Sequence, residues 1–433
     1  MAVTCGICGV TSDFDEAFLK ARRSFRFKKT TYCPACWLER GTSMIPYLLG
    51  WGFFLFLGII LVVQNPQEGW LILNLFFIVL CILLMIIPHE LGHAFVAKWL
   101  GWRVFKIIIG RGRIIKTGTM FGFSYEVRKL PFHGLTFCFA NSSQWYRLKQ
   151  FCIVAAGPIV NVAFLFIALQ IPQSTSLSQA LSQSLNPVGW LIVANACILV
   201  INLIPCHFKL PQGKIPNDGL SLLTMPFFRQ IEIERLLPFY YIYEGLEYLY
   251  RQQFQKAKES YLQGLSQYPE NPLLKNGLGV TCLNMGKVEE ARSIFRQLLD
   301  QNDPTDKQLH ALLLNNLAYA NMLCDPQGLL KEADTLSAQM YKSCPWVPTF
   351  KGTRGIVLIE LGELNEGITL LKQAMKGTEN PRDNAINAAY LAIAEARKGD
   401  IKCANQYLET ARQFDDACSL LDQVQNELFL AEA

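Results

Sequence analysis

Charged residues are scarce. Asp, Glu, Lys and Arg make up 17% of the 433 residues, against about 25% in an ordinary soluble protein. The shortage is local: residues 44–100 hold two long apolar runs, whereas residues 226–433 read as soluble helix. A single soluble fold is therefore excluded, and so is disorder. Excess charge of one sign is also lacking. Forty Lys and Arg against 35 Asp and Glu leave a net charge of +5, too little to point to nucleic acid. The first 43 residues contain no apolar run, so no secretory leader is expected there. Histidine occurs only five times. Cysteine occurs fourteen times, but four of these form two CxxC pairs and the rest are scattered singly. That spacing reads as reduced, metal-binding or core cysteine and excludes a disulfide framework.

What is present in abundance is apolar helix. A bilayer core about 30 Å thick needs about 20 apolar residues per helix. Met44–Val63 is twenty residues without a charge, and Trp70–Ile87 is equally free of charge, its helix running on to about residue 97. Phe151–Gln170 and Val188–Ile204 complete four expected spans. Basic residues then set the orientation. Seven precede the first span (Lys20, Arg22, Arg23, Arg26, Lys28, Lys29, Arg40), ten lie in 98–149, and Lys209 and Lys214 follow the fourth. The connectors 64–69 and 171–187 contain no Lys or Arg. Both termini are thus expected on the cytoplasmic side of a membrane, and a prokaryotic plasma membrane fits.

The second span runs into Pro88-His89-Glu90-Leu91-Gly92-His93. On a helix His89 and His93 share one face, close enough to bind one cation, and Glu90 lies beside them as a base for a water on that ion. Zinc suits two imidazoles with one open position. Ionisable groups at membrane depth are costly and mark function by default.

Three motifs in order make residues 44–225 resemble the site-2 protease family of intramembrane zinc metalloproteases. They are His89-Glu90-Leu91-Gly92-His93, the Gly157-Pro158-Ile159-Val160-Asn161 element of the third span, and Asn202-Leu203-Ile204-Pro205 followed by Asn217-Asp218-Gly219. The resemblance implies a zinc endopeptidase acting on a membrane-spanning protein, with Asp218 as the third ligand and Asn161 and Asn202 as candidate substrate contacts. For Gly157, Pro158 and Asn161 helix packing is an equal reading. Residues 103–135 alternate like short strands, matching the membrane-associated β-hairpins of that family. One departure stands out: twelve residues, Cys206 to Asn217, separate Pro205 from Asp218. Pro211, Gly213 and Pro216 suit a loop that brings the chain back. His207 is the competing ligand.

Cys5-Gly-Ile-Cys8 and Cys33-Pro-Ala-Cys36 have the spacing of a four-thiolate zinc ribbon, which makes residues 1–43 a metal-folded stub. Downstream, Gly245, Ala257 and Tyr261 recur as Gly279, Ala291 and Phe295, each 34 residues on. That is the tetratricopeptide period, with small residues where paired helices touch and an aromatic wedge between them. Looser recurrences at Ala318, Gly355, Ala392 and Ala404 extend the array to five helical pairs within 236–433.

The expected protein is mainly α. It has a multi-pass helical membrane core with a small β-hairpin segment, a zinc-ribbon-like stub before it and an α-solenoid after it. The expected function is zinc-dependent intramembrane proteolysis, with one catalytic and one structural zinc and with the repeats recruiting a protein or peptide. The alternative is a membrane scaffold with a weak or inactive metal site that acts through its repeats. A membrane metallohydrolase acting on lipid ranks third.

Overall fold

The computed structural model describes residues 2–6, 8–14, 19–22, 29–38, 45–172, 176–210, 213–301, 303, 305–378, 380–416, 418 and 420–432. Arg23, Arg26, Lys28, Arg40, Met44 and Pro211, used above, lie outside the described residues. The chain divides into two compact units. One joins Met1–Trp37 to Gly245–Ala433, and the other is Leu38–Glu244.

The first unit opens with two short antiparallel pairs, β1 (Val3–Thr4) with β2 (Thr11–Ser12) and β3 (Leu19–Arg22) with β4 (Lys29–Tyr32). The short helix α1 (Pro34–Leu38) follows.

The second unit is built on α2 (Ile45–Gln64) and α3 (Pro66–Trp99). At 1.5 Å per residue the 34 residues of α3 run about 50 Å, well beyond a hydrocarbon core. Pro66 begins the helix, where a missing N–H costs nothing. Pro88 lies inside it and cannot donate to the preceding turn, immediately before the histidines. Next comes a hairpin of β5 (Arg103–Met120) and β6 (Phe123–Phe139). Its turn residues Phe121 and Gly122 have φ of 52° and 81°, the left-handed pair that a tight hairpin turn requires. The short strands expected over 103–135 are thus one long pair, and its register shifts repeatedly along its length.

Helix α4 (Tyr146–Gln170), the short α5 (Leu177–Gln183) and α6 (Pro187–Leu203) complete the bundle. Helix α3 packs on α2, α4 and α6, and α4 packs on α6. Large apolar side chains face outward on all four long helices, among them Phe53, Phe56, Leu75, Phe166, Ile167 and Val200. Helices α3 and α4 are long and apolar enough to cross a membrane, while Leu48–Gln64 and Pro187–Leu203 are apolar but shorter. The unit ends in the hairpin β7 (His207–Leu210) and β8 (Gly213–Pro216), then α7 (Asp218–Thr224), α8 (Gln230–Leu236) and the start of α9 (Pro238–Tyr250). Phe139 of β6 stacks on Tyr243, within the same unit, with ring centroids 5.0 Å apart.

One buried polar residue locks the α4–α6 connection to the bundle. Asn74 of α3 is fully buried. Its amide donates to the carbonyls of Leu181 (2.7 Å), Ser184 (2.8 Å) and Trp70 (2.9 Å). Its carbonyl accepts from the Asn186 backbone N–H (3.0 Å) and the Trp190 indole N–H (2.5 Å). Asn74→Leu keeps the volume but removes the acceptor shared by those two donors, at about 1–3 kcal/mol for each stranded group. A lowered Tm in detergent is expected; an unchanged Tm would mean that the network does not hold the connector.

From Gly245, within α9, the first unit resumes as successive helix pairs. They are α9 with α10 (Phe254–Gln267), α11 (Pro272–Asn284) with α12 (Val288–Gln301), α13 (Lys307–Cys324) with α14 (Leu330–Ser343), α15 (Pro348–Glu360) with α16 (Leu364–Gly377), and α17 (Pro381–Arg397) with α18 (Ile401–Phe414). A last helix, α19 (Leu421–Glu432), packs on α17 and α18. The physical basis of the 34-residue period is visible in two of the repeats. A Cβ on Gly245 would lie 2.3 Å from the Tyr261 ring, and one on Gly279 would lie 2.5 Å from the Phe295 ring. Each glycine therefore makes room for a fully buried aromatic wedge.

Candidate metal centre

His89, Glu90 and His93 are buried on one face of α3. Hydrogen bonds to Nδ1 aim both imidazoles. His93 Nδ1 lies 2.7 Å from the carbonyl of Ile153, which can only accept, so Nδ1 carries the proton and Nε2 presents its lone pair.

His89 reaches the same state through a relay. Asn195 donates its amide to the Leu191 carbonyl (2.8 Å), so its own carbonyl accepts from the Asn161 amide (2.8 Å). The Asn161 carbonyl is then left to accept from His89 Nδ1 at 2.6 Å. Asn161 and Asn195 are both fully buried. Asn161, singled out as a candidate substrate contact, stands behind the histidine with both ends of its amide engaged.

Asp218 completes the cluster from the first turn of α7. Its Oδ2 lies 3.1 Å from His89 Nε2 and 3.6 Å from His93 Nε2, and the two Nε2 atoms are 3.2 Å apart. Three acceptors thus converge with the ring protons committed elsewhere. Asn202 Nδ2 lies 3.4 Å from His89 Nε2, at the outer limit of a hydrogen bond. A cation resolves this arrangement. Zinc bonds of about 2.0–2.1 Å in a tetrahedron put ligand atoms about 3.3–3.4 Å apart, close to the observed triangle. Gly157 of α4 makes room for both rings: a Cβ there would fall 2.3 Å from His93 Nε2 and 2.7 Å from His89 Cε1.

The twelve-residue departure is accommodated as a closed excursion. Strands β7 and β8 pair antiparallel from His207 opposite Pro216 to Leu210 opposite Gly213, and beside them the Asn217 N–H donates to the Cys206 carbonyl (3.0 Å). The Asn217 side chain accepts from the N–H groups of Cys206 and Leu220, both at 3.0 Å. It also donates to the carbonyls of Ile204 (2.7 Å) and Asn202 (2.9 Å). The chain therefore returns to where it left α6, with Asp218 next in line. His207, the competing ligand, opens β7 opposite Pro216 and is exposed.

Two residues that sequence reasoning passed over come from β6. Thr136 Oγ1 is 2.7 Å from Glu90 Oε2 and 3.0 Å from the Glu90 carbonyl. A Cβ on Gly134 would sit 2.3 Å from Glu90 Oε1, so this glycine leaves room for the carboxylate. Asn195 was missed as well, although an amide inside an apolar helix is itself a signal.

Residues 76–182 match the model of peptidase family M50. The M50 family comprises zinc-dependent, membrane-embedded peptidases, the site-2 proteases. The match takes in His89, Glu90, His93 and Asn161 and stops before Asn202 and Asp218. A curated relative is stage IV sporulation protein FB of Bacillus subtilis (strain 168), 24% identical over 156 residues. That alignment covers 36% of this chain, and the chain spans 42% of the relative's length. Residues 248–315 match the tetratricopeptide repeat model. Similar solved structures include a thermophilic tetratricopeptide protein of Thermus thermophilus (19% identity, 44% of this chain, 99% of that chain, TM-score 0.36). YrrB, a tetratricopeptide protein with an unusual peptide-binding site, is another (15% identity, 43% and 91%, TM-score 0.27).

The second candidate centre is in the stub. The sulfurs of Cys5, Cys8, Cys33 and Cys36 lie within 4.8 Å of one another, with Cys8 and Cys33 3.7 Å apart. Zinc–sulfur bonds of about 2.3 Å in a tetrahedron require sulfurs about 3.8 Å apart. Backbone N–H groups of Cys33 and Cys36 point at the sulfurs of Cys5 (3.3 Å) and Cys33 (3.5 Å), as they would to thiolates. Gly9, at φ 74°, turns the chain after the first pair. Burial above all pushes the Cys33 thiol up to about 12, so a cation binding here displaces protons.

Proposed function

We propose that the chain is a zinc-dependent intramembrane endopeptidase of the site-2 protease type, with four spans, both termini cytoplasmic, and a prokaryotic plasma membrane as its setting. On this reading 44–225 is the catalytic core, with spans at about 44–63, 70–97, 151–170 and 188–204. Residues 1–43 are the zinc-ribbon-like stub, and 236–433 hold the repeats that recruit a substrate protein or regulator. The observation that carries the reading is the convergence of His89 Nε2, His93 Nε2 and Asp218 Oδ2 beside a buried glutamate.

His89, His93 and Asp218 would hold the ion. When bound, zinc supplies the acidity that activates water and polarises the scissile carbonyl. Glu90 takes the proton of the attacking water on its carboxylate and returns it to the departing amine. Thr136 fixes the carboxylate while it does so. Asn161 and Asn195 hold His89 in the tautomer that keeps Nε2 bare. Asn202, close to His89 Nε2 and half-buried, is placed to meet an extended substrate backbone. The substrate must unwind locally, because a helical peptide bond hides its carbonyl in the i→i+4 ladder.

The test is cleavage of a panel of single-span reporter proteins, carrying helix-weakening residues near mid-membrane, by purified enzyme in proteoliposomes. Chelation should stop cleavage and added zinc should restore it. Cleavage that survives loss of the ion, or zinc-loaded enzyme that cuts no reporter, would sink the proposal; the second outcome would favour the scaffold alternative.

A further inference from the structure

The first unit is discontinuous in sequence: the cysteine stub and the helix array form one compact body. Contact is made at one edge of the array, where α13 begins and α14 turns into α15. Phe14 of the stub is buried in an apolar cluster with Leu336, Met340, Cys344 and Phe350. Ser12, also buried, donates from its hydroxyl to the carbonyl of Ser343 at the end of α14 and accepts from the Phe14 N–H at 2.9 Å. Lys307, the first residue of α13, places Nζ 5.5 Å from the Phe14 ring and 3.5 Å from the Asp13 carbonyl.

The docking residues are also the metal-folded residues. Cys5 and Cys33 belong to the same buried cluster as Phe14. Strand β2, which carries Ser12, pairs with β1, and β1 leads into Cys5. A stub of this size has too little core to hold that shape alone. Metal occupancy and docking are therefore linked.

We propose that the four-cysteine stub is a metal-dependent clamp on the third helical pair of its own array. Zinc on Cys5, Cys8, Cys33 and Cys36 folds the surface that docks at the α14–α15 turn, and loss of the ion releases it. The apolar face of the stub is thus occupied by its own chain rather than offered to another molecule. The inference rests on the reading of the cysteines as a zinc site and is independent of the peptidase reading.

Hydrogen exchange on the full-length protein in detergent tests it, followed in peptides covering 8–14 and 336–350 with zinc loaded, stripped by chelation and restored. Stripping should speed exchange in both segments by about tenfold or more, reversibly, while α17 and α18 stay protected. Phe14→Asp, measured with zinc loaded, should speed exchange in 336–350 while the protein keeps its full zinc content. Two results overturn the clamp: protection of 336–350 that survives stripping, or protection that survives Phe14→Asp. Loss of protection throughout the array on stripping also overturns it, making the ion a general folding element. Wild-type protein with no zinc on the cysteines overturns the site reading itself.

Discussion

Glu90→Gln is expected to lower reporter cleavage by about 10²–10⁴-fold, the usual contribution of a positioned acid–base group, with zinc content unchanged. Glutamine has the size of glutamate, so the pocket beside Gly134 still fits it, and its carbonyl can still accept from Thr136. What it lacks is the capacity to take a proton. His89, His93 and Asp218 are untouched, so zinc per chain, measured by mass spectrometry, should equal that of wild type. Activity within a few-fold of wild type would remove Glu90 from the chemistry. Inactivity accompanied by zinc loss would assign it to the metal site instead.

Asp218→Ala should bring zinc per chain down from two toward one, the remaining ion being that of the cysteines. The Asp218 carboxylate approaches both histidines, and the loss of a ligand should weaken binding by more than the about 10–100-fold typical of outer contacts. His207→Ala, at an exposed hairpin position, should leave both ions in place. The two variants discriminate sharply. If Asp218→Ala retained two zincs and His207→Ala lost one, the third ligand would move to the hairpin, and the ligand triangle would not be the functional one.

The parts of this site that lie within one turn of helix could be read directly from the chain. His89, Glu90 and His93 stand on a single face by spacing alone. The partners that aim them could not, because each arrives from a distant element. Asn195 meets Asn161 only through the packing of α4 on α6, and Thr136 reaches Glu90 from a strand 46 residues away. The return of Asp218 was suggested by turn residues, but the pairing of Asn217 with Cys206 that closes the excursion has no pattern in sequence. In the long hairpin, Gly110 and Gly112 at φ 90° interrupt the alternation, so one strand reads as several. The array showed its period where a glycine meets an aromatic ring. It was less regular at the third pair, where α13 extends to 18 residues. Phe14 gave no sign of its role, since a lone aromatic residue in a polar stub has no periodicity to betray a partner.

The discontinuity of the stub-and-array body has a consequence for the order of synthesis. Residues that touch one another, Ser12 and Ser343, lie 331 positions apart. At about 5–20 residues per second, the stub leaves the ribosome some tens of seconds before its docking surface exists. The whole of Leu38–Glu244 is made in that interval. The stub is therefore undocked while α2 to α8 are being made, and Phe14 is fully covered only once translation has passed Phe350 of α15. A nascent chain stalled before α14 would still expose Phe14, which the finished molecule buries.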